Sequence, residues 1–108
     1  MMHVIVPAEA ARTRGLVLVD LRPTAERHLG IGFIPGSVGV PASDDPRQYA
    51  ESISQVARER VPVLVCTSGT RACDRALQVA PHLRMPLAYL EGGVLGWAAA
   101  GLPLCGCV

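Results

Sequence analysis

One hundred and eight residues, half of them hydrophobic but only four aromatic, carry a formal charge of +1. That length fits a single domain spanning residues 1–108, able to bury about two-thirds of its unfolded surface without disulfides or metal, and the near-neutral charge speaks against a polyanionic partner. All ten basic residues are Arg and none is Lys, which excludes Schiff-base catalysis and a Walker-type phosphate loop.

The amino-terminal run from Met1 to Pro7 lacks a basic leader region and is too short for a signal peptide, so a cytoplasmic location is expected. No stretch approaches the roughly 18 apolar residues of a membrane span, and no membrane partner is expected. Short apolar runs then alternate with helix-like segments, the pattern of a parallel sheet covered by helices. The expected strands are His3 to Val6, Leu16 to Asp20, Ser37 to Val40, Val61 to Val65 and Leu87 to Leu90. The runs from Leu16 to Val19 and from Val63 to Val65 are apolar on both faces, as buried parallel strands are. Pro7 and Pro23 mark first helical positions. Asp45 and Pro46 read as an N-cap and N1 proline opening a helix to about Arg60, with Tyr49, Ile53, Val56 and Ala57 on one face. A fourth helix is expected from about Arg71 to Ala80, with Ala72, Ala76, Leu77 and Val79 inward. A fifth runs from about Val94 to Ala100, stopped by Gly101 and Pro103. The fold class is therefore α/β: a five-stranded, mainly parallel sheet flanked on both faces by about five helices.

The candidate chemistry lies between the fourth strand and the fourth helix. There an apolar run ends in Cys66, crosses Thr67, Ser68, Gly69 and Thr70, and reaches Arg71. Backbone amides at a helix start, joined by a guanidinium, form a setting that favours an anion, so Cys66 reads as a reactive thiolate held by this loop. The plainer reading is a small buried hydrophobe at a strand end. Cys66 and Cys73 are spaced Cys-x6-Cys and Cys105 and Cys107 Cys-x-Cys, neither a usual zinc spacing, and the histidines are scattered, so no metal site is expected. Nucleic acid is not expected either, because no basic stripe interleaves with aromatic residues. Dinucleotide binding fails because Gly30 and Gly32 are followed by Pro35 where a third glycine should stand.

Three blocks together resemble the rhodanese-like sulfurtransferase family. The first is Asp20, Arg22 and Glu26 in Asp-x-Arg-x3-Glu spacing, followed by the stretch from Gly32 to Ser37. The second is the loop from Cys66 to Ala72, and the third runs from Leu90 through Glu91, Gly92, Gly93 and Trp97 to Gly101 and Pro103. The blocks cover nearly the whole chain in the family's order. The resemblance implies a rhodanese-like sheet and sulfur transfer through a Cys66 persulfide, with no cofactor. The expected partners are a small sulfur donor, thiosulfate or a low-molecular-weight persulfide, and a thiol or cyanide acceptor, with a protein acceptor as an alternative. Two residues depart from the family pattern. Phe33 replaces a common His, and Thr67 stands where thiosulfate-preferring members often carry a cation, which favours a bulkier or less charged donor.

Around the loop, Arg71 is expected to contact substrate, with bracing by an acidic residue as the alternative. Asp20, Arg22, Glu26 and Glu91 fall at strand ends and helix starts near the crevice of an open sheet, and structural roles are preferred. Arg22 and Glu26, four apart, are expected to pair. Trp97 reads as core, His3, His28 and His82 as surface or capping residues, and Cys73 as buried filler. Cys105 and Cys107 carry a weaker expectation of a redox or relay role. A Cys-x5-Arg phosphatase is the nearest different enzyme, but Cys66 to Arg71 is Cys-x4-Arg, one residue short for a phosphate cradle. A catalytically silent interaction module is the non-enzymatic alternative.

Overall fold

In the computed structural model, which describes residues 2–106, the apolar runs assemble into one five-stranded sheet of order β1-β5-β4-β2-β3. The strands are β1 (Met2–Ile5), β2 (Leu16–Asp20), β3 (Val38–Gly39), β4 (Val61–Val65) and β5 (Leu87–Leu90). Every pairing is parallel. Parallel neighbours need crossovers, and helices supply them: α1 (Pro7–Arg12), α2 (Thr24–Leu29), α3 (Pro46–Ala57) and α4 (Thr70–Val79), the last followed by a 3₁₀ turn at Ala80–His82, while α5 (Gly93–Ala99) follows the last strand.

Side-chain alternation along the strands divides the core into two layers. Val17, Val19 and Leu64 point to the layer formed by Tyr49, Ala50, Ile53 and Ala57 of α3 and Ala72, Ala76 and Val79 of α4. Val63, Val65 and Leu90 point the other way, to Ala10 of α1 and Val94 and Trp97 of α5. Each fully buried aliphatic side chain contributes roughly 1.5–3 kcal/mol, so this double layer is the main source of stability. Leu77, expected inward, is exposed, because the inward stripe of α4 runs through Ala72, Ala76 and Val79. Among the described residues, no helix is long and apolar enough to cross a membrane.

Several boundaries differ from expectation for local reasons. Val6 serves as the N-cap of α1, so β1 ends at Ile5, and Pro23 is likewise the N-cap of α2 rather than its first residue. The third strand shrinks to two residues that pair only with β2. Asp45 caps α3 as expected, accepting the Arg47 amide at 3.0 Å, but the helix stops at Ala57, where Arg58 turns to φ +55°. Pro62 lies in a central strand without loss, because β4 pairs with β5 only from Val63 onward.

Candidate active site

The carboxyl ends of β2, β4 and β5 lie side by side, and each hands the chain to a segment of the site. Cys66 follows β4 and is completely buried. Its Sγ accepts the Gly69 amide at 3.0 Å and the Ala72 amide at 3.3 Å. These belong to the start of α4, whose N-cap residue, Gly69, offers no side chain to satisfy them. The sulfur therefore occupies the place an N-cap oxygen takes in an ordinary helix, at the positive end of the helix dipole. The amides that reach it lie at positions 69 and 72, one of them beyond the expected 67–71 stretch.

The carbonyls of the loop face the opposite way. Val94 donates its amide to the Cys66 carbonyl at 2.9 Å, and Leu95 donates to that of Thr67 at 3.0 Å, so the first turn of α5 is stitched to the loop. Such an approach leaves no room for a Cβ at Gly93, where one would sit 2.2 Å from the Cys66 oxygen. Gly69, at φ +96°, is equally constrained: a Cβ there would lie 2.9 Å from the Gly92 nitrogen. Gly69 also packs against the turn after β5, so a bulky replacement such as Gly69→Val acts on packing as well as on the loop.

Arg71 grips Glu26 of α2 with both arms, Nη1 donating to Oε1 at 3.0 Å and Nη2 to Oε2 at 2.6 Å. The Thr67 hydroxyl donates to Glu26 Oε2 at 2.7 Å and accepts from Arg71 Nη2 at 3.2 Å, closing a three-residue ring. The Arg71 hydrogen bond holds the Glu26 carboxyl at about 2, against an ordinary 4.5, and the same bond raises the pKa of Arg71. Arg71 is thus braced by an acid, the alternative to direct substrate contact. Ser68 and Thr70 are exposed, their hydroxyls 3.4 Å apart.

The expected Arg22–Glu26 pair does not form. Arg22 precedes α2, so helical spacing does not apply to it, and it pairs instead with Asp20 through Nε–Oδ1 at 2.9 Å and Nη2–Oδ2 at 2.8 Å. Both side chains are 1% exposed. Arg22 also donates to the Gly32 carbonyl at 3.0 Å, tying the end of β2 to the next loop. In that loop Phe33 lies under the Arg27 guanidinium, 4.2 Å from its ring centre, and meets His28 edge-on at 5.3 Å. The backbone of Phe33 pairs with Cys105 in both directions, at 2.8 and 2.9 Å. Cys107 lies outside the described residues.

Trp97 is buried in the core and donates its indole N–H to the Pro103 carbonyl at 2.8 Å. His3, His28 and His82 are all exposed at the surface. Cys73 is not buried filler. It is half-buried and lines a cavity of about 320 Å³ with Ser68, Gly69, Thr70, Tyr89 and Glu91, where the nearby Cys73 thiol raises the pKa of the Tyr89 phenol. Tyr89 went unnoticed in the sequence because its strand, Leu87–Leu90, carries no polar pattern that marks it.

The sequence profile of the rhodanese-like domain matches residues 7–100. The chain belongs to the rhodanese-like domain family. No curated protein matches it. Among solved structures, this rhodanese-like chain resembles part of a thiosulfate sulfurtransferase from Pseudomonas aeruginosa, with 24% identity, TM-score 0.75, and coverage of 98% of this chain and 21% of that one. It is also similar to a possible tyrosine phosphatase from Rhodopseudomonas palustris (24% identity, TM-score 0.73, 96% of this chain and 85% of that one). An As-Sb reductase from Leishmania major follows, at 18% identity and TM-score 0.69, with 91% and 78% coverage. At such identities these neighbours establish a shared fold. The five parallel strands and flanking helices are that rhodanese-like fold.

Proposed function

We propose that this rhodanese-like domain is a sulfurtransferase that moves a sulfane sulfur from a small donor to a thiophilic acceptor through a Cys66 persulfide. The observation that carries the reading is the Cys66 Sγ seated on the Gly69 and Ala72 amides at the start of α4. The thiolate attacks the outer sulfur of thiosulfate or an organic persulfide, the donor's S–S bond breaks, and sulfite or a thiolate leaves with its electron pair. A thiol or cyanide then removes the terminal sulfur in the second half of a ping-pong cycle. Neither half requires a general base. The amides that hold the thiolate lie close to where the persulfide carries its charge. Cys66 is fully covered, so donor and acceptor can reach its sulfur only when loop side chains move aside.

A phosphatase is less well supported. Its phosphate needs a wider loop and a free guanidinium, whereas only four residues separate Cys66 from Arg71 and both arms of Arg71 are taken by Glu26. The test is to incubate the protein with each donor and weigh the intact chain. Gain of one sulfur atom by the wild type and none by Cys66→Ser is the expected result. An unchanged mass with every donor refutes the reading and leaves the non-enzymatic module.

A further inference from the structure

Charged and apolar groups beside Cys66 sort into two neighbouring patches. In the first, Arg71 is neutralised: Glu26, ionised at neutral pH because its carboxyl is held at about 2, accepts both arms of the guanidinium. The other charges at the mouth do not replace that cation. Arg75 turns to the Ser43 carbonyl at 2.8 Å with Asp74 beside it on the rim of a cavity of about 520 Å³, Arg22 is consumed by Asp20, and Glu91 adds a negative charge across the loop. The second patch is a cavity of about 250 Å³ that adjoins Thr67 and Glu26 and is walled by Ile31 and Leu95. Ile31 is 39% and Leu95 50% exposed, an apolar lip facing solvent next to the residue that follows Cys66.

We infer that Glu26 determines donor specificity: by neutralising Arg71 it disfavours a dianion such as thiosulfate, while Ile31 and Leu95 take the hydrocarbon body of an organic sulfane donor bearing at most one negative charge. The inference rests on Cys66 as the sulfur carrier. A thiosulfonate represents the donor class. The Cys66 thiolate forms an S–S bond to its outer sulfur and the donor's S–S bond breaks. The bonding electron pair leaves on a sulfinate, and the transferred sulfur remains as a persulfide anion. Charge balances, no proton moves, and no outside oxidant or reductant is needed. An uncompensated guanidinium would favour the dianion over the monoanion, and the Glu26 carboxylate removes that advantage. Apolar contact at Ile31 and Leu95 adds affinity that a bare oxyanion cannot use.

The test uses three donors with cyanide as the common acceptor: thiosulfate, a dianion; methanethiosulfonate, a monoanion with one methyl group; and benzenethiosulfonate, a monoanion with an aromatic body. Each rate is divided by that of the same donor with a free small thiol, which removes intrinsic reactivity. The normalised kcat/KM of the wild type should rise in the order given. Glu26→Gln should raise thiosulfate relative to methanethiosulfonate by about fivefold at low salt and less at high salt. Leu95→Ser should lower benzenethiosulfonate relative to methanethiosulfonate by about threefold. These are ratios within one protein, so a Glu26 that merely supports the fold leaves them alone. Thiosulfate as the best wild-type donor, or a donor ratio unchanged by Glu26→Gln, overturns the inference while Cys66 still gains sulfur. Absence of sulfur on Cys66 with all three donors instead overturns the carrier reading beneath it, and intact mass separates the two failures.

Discussion

Gly93→Ala places one methyl group between α5 and the Cys66 loop. The new Cβ would fall 2.2 Å from the Cys66 oxygen and 2.6 Å from that of Thr67, where carbon and oxygen settle at about 3.3–3.6 Å, so the two backbones must part by about 1 Å. That separation breaks the Val94–Cys66 and Leu95–Thr67 hydrogen bonds, now 2.9 and 3.0 Å, at roughly 1 kcal/mol each. A left-handed alanine at φ +60° adds about 1 kcal/mol, for a total near 3 kcal/mol. Gly101 provides the control, because its φ is +80° and a Cβ there would meet nothing within 4 Å, so Gly101→Ala carries only the backbone cost. For a domain of this size about 1 kcal/mol corresponds to roughly 4–8 °C, which predicts a fall of about 4–8 °C for Gly101→Ala and about 12–24 °C for Gly93→Ala. Thermal melts followed by circular dichroism measure both, and sulfur loading should fail in Gly93→Ala alone. Coincident melting curves would refute the argument that this glycine exists for close approach.

The sulfur's capping role separates two replacements of Cys66: serine keeps an acceptor for the Gly69 and Ala72 amides and should melt near the wild type, whereas alanine leaves two buried donors unpaired and should lose about 2 kcal/mol. Equal melting of the two variants would remove the capping argument, and neither should take up sulfur. Acid should expose the Glu26 bridge. Its carboxyl is depressed from 4.5 to about 2, so the stabilisation is complete above the unfolded value and disappears as pH falls towards 2. The full shift corresponds to about 3 kcal/mol, but with Arg71 48% and Glu26 37% exposed, solvent screening reduces the expected contribution to about 1 kcal/mol. Melts of wild type and Glu26→Gln across that acid range should converge, and parallel curves would show that the bridge adds nothing.

Local patterning carried much of the architecture. The strand beginning at Leu16 and the capped start of α3 at Asp45 are set by neighbours in sequence, and the structure places both where expected. The end of α3 was hidden because Arg58 turns left-handed without a glycine to mark the stop. Around the site, chain order located the loop from Cys66 to Arg71 but not its partners. The spacing of Arg22 and Glu26 suggested a pair only on the assumption of a continuous helix, which starts at Thr24 and excludes Arg22. Cys73 was misplaced for a related reason: α4 begins only at Thr70, and its buried stripe of Ala72, Ala76 and Val79 leaves Cys73 half-buried. The neutralisation of Arg71 joins α2 to α4 across 45 residues of sequence, and a pairing that distant leaves no periodic trace.

The sheet's outer strands have a consequence for self-association. A long, flat border of unpaired N–H and C=O groups invites a second chain to add a strand, the route to aggregation and domain exchange. Here one border is β3, two residues followed closely by Pro41, and the other is β1, four residues running into α1 through Pro7. An incoming strand would find only a rung or two on one side and a proline-ended template on the other. Despite the half-exposed Val4 on β1, the fold's least protected feature is too short to nucleate a ladder, leaving chain-to-chain growth without a register to copy.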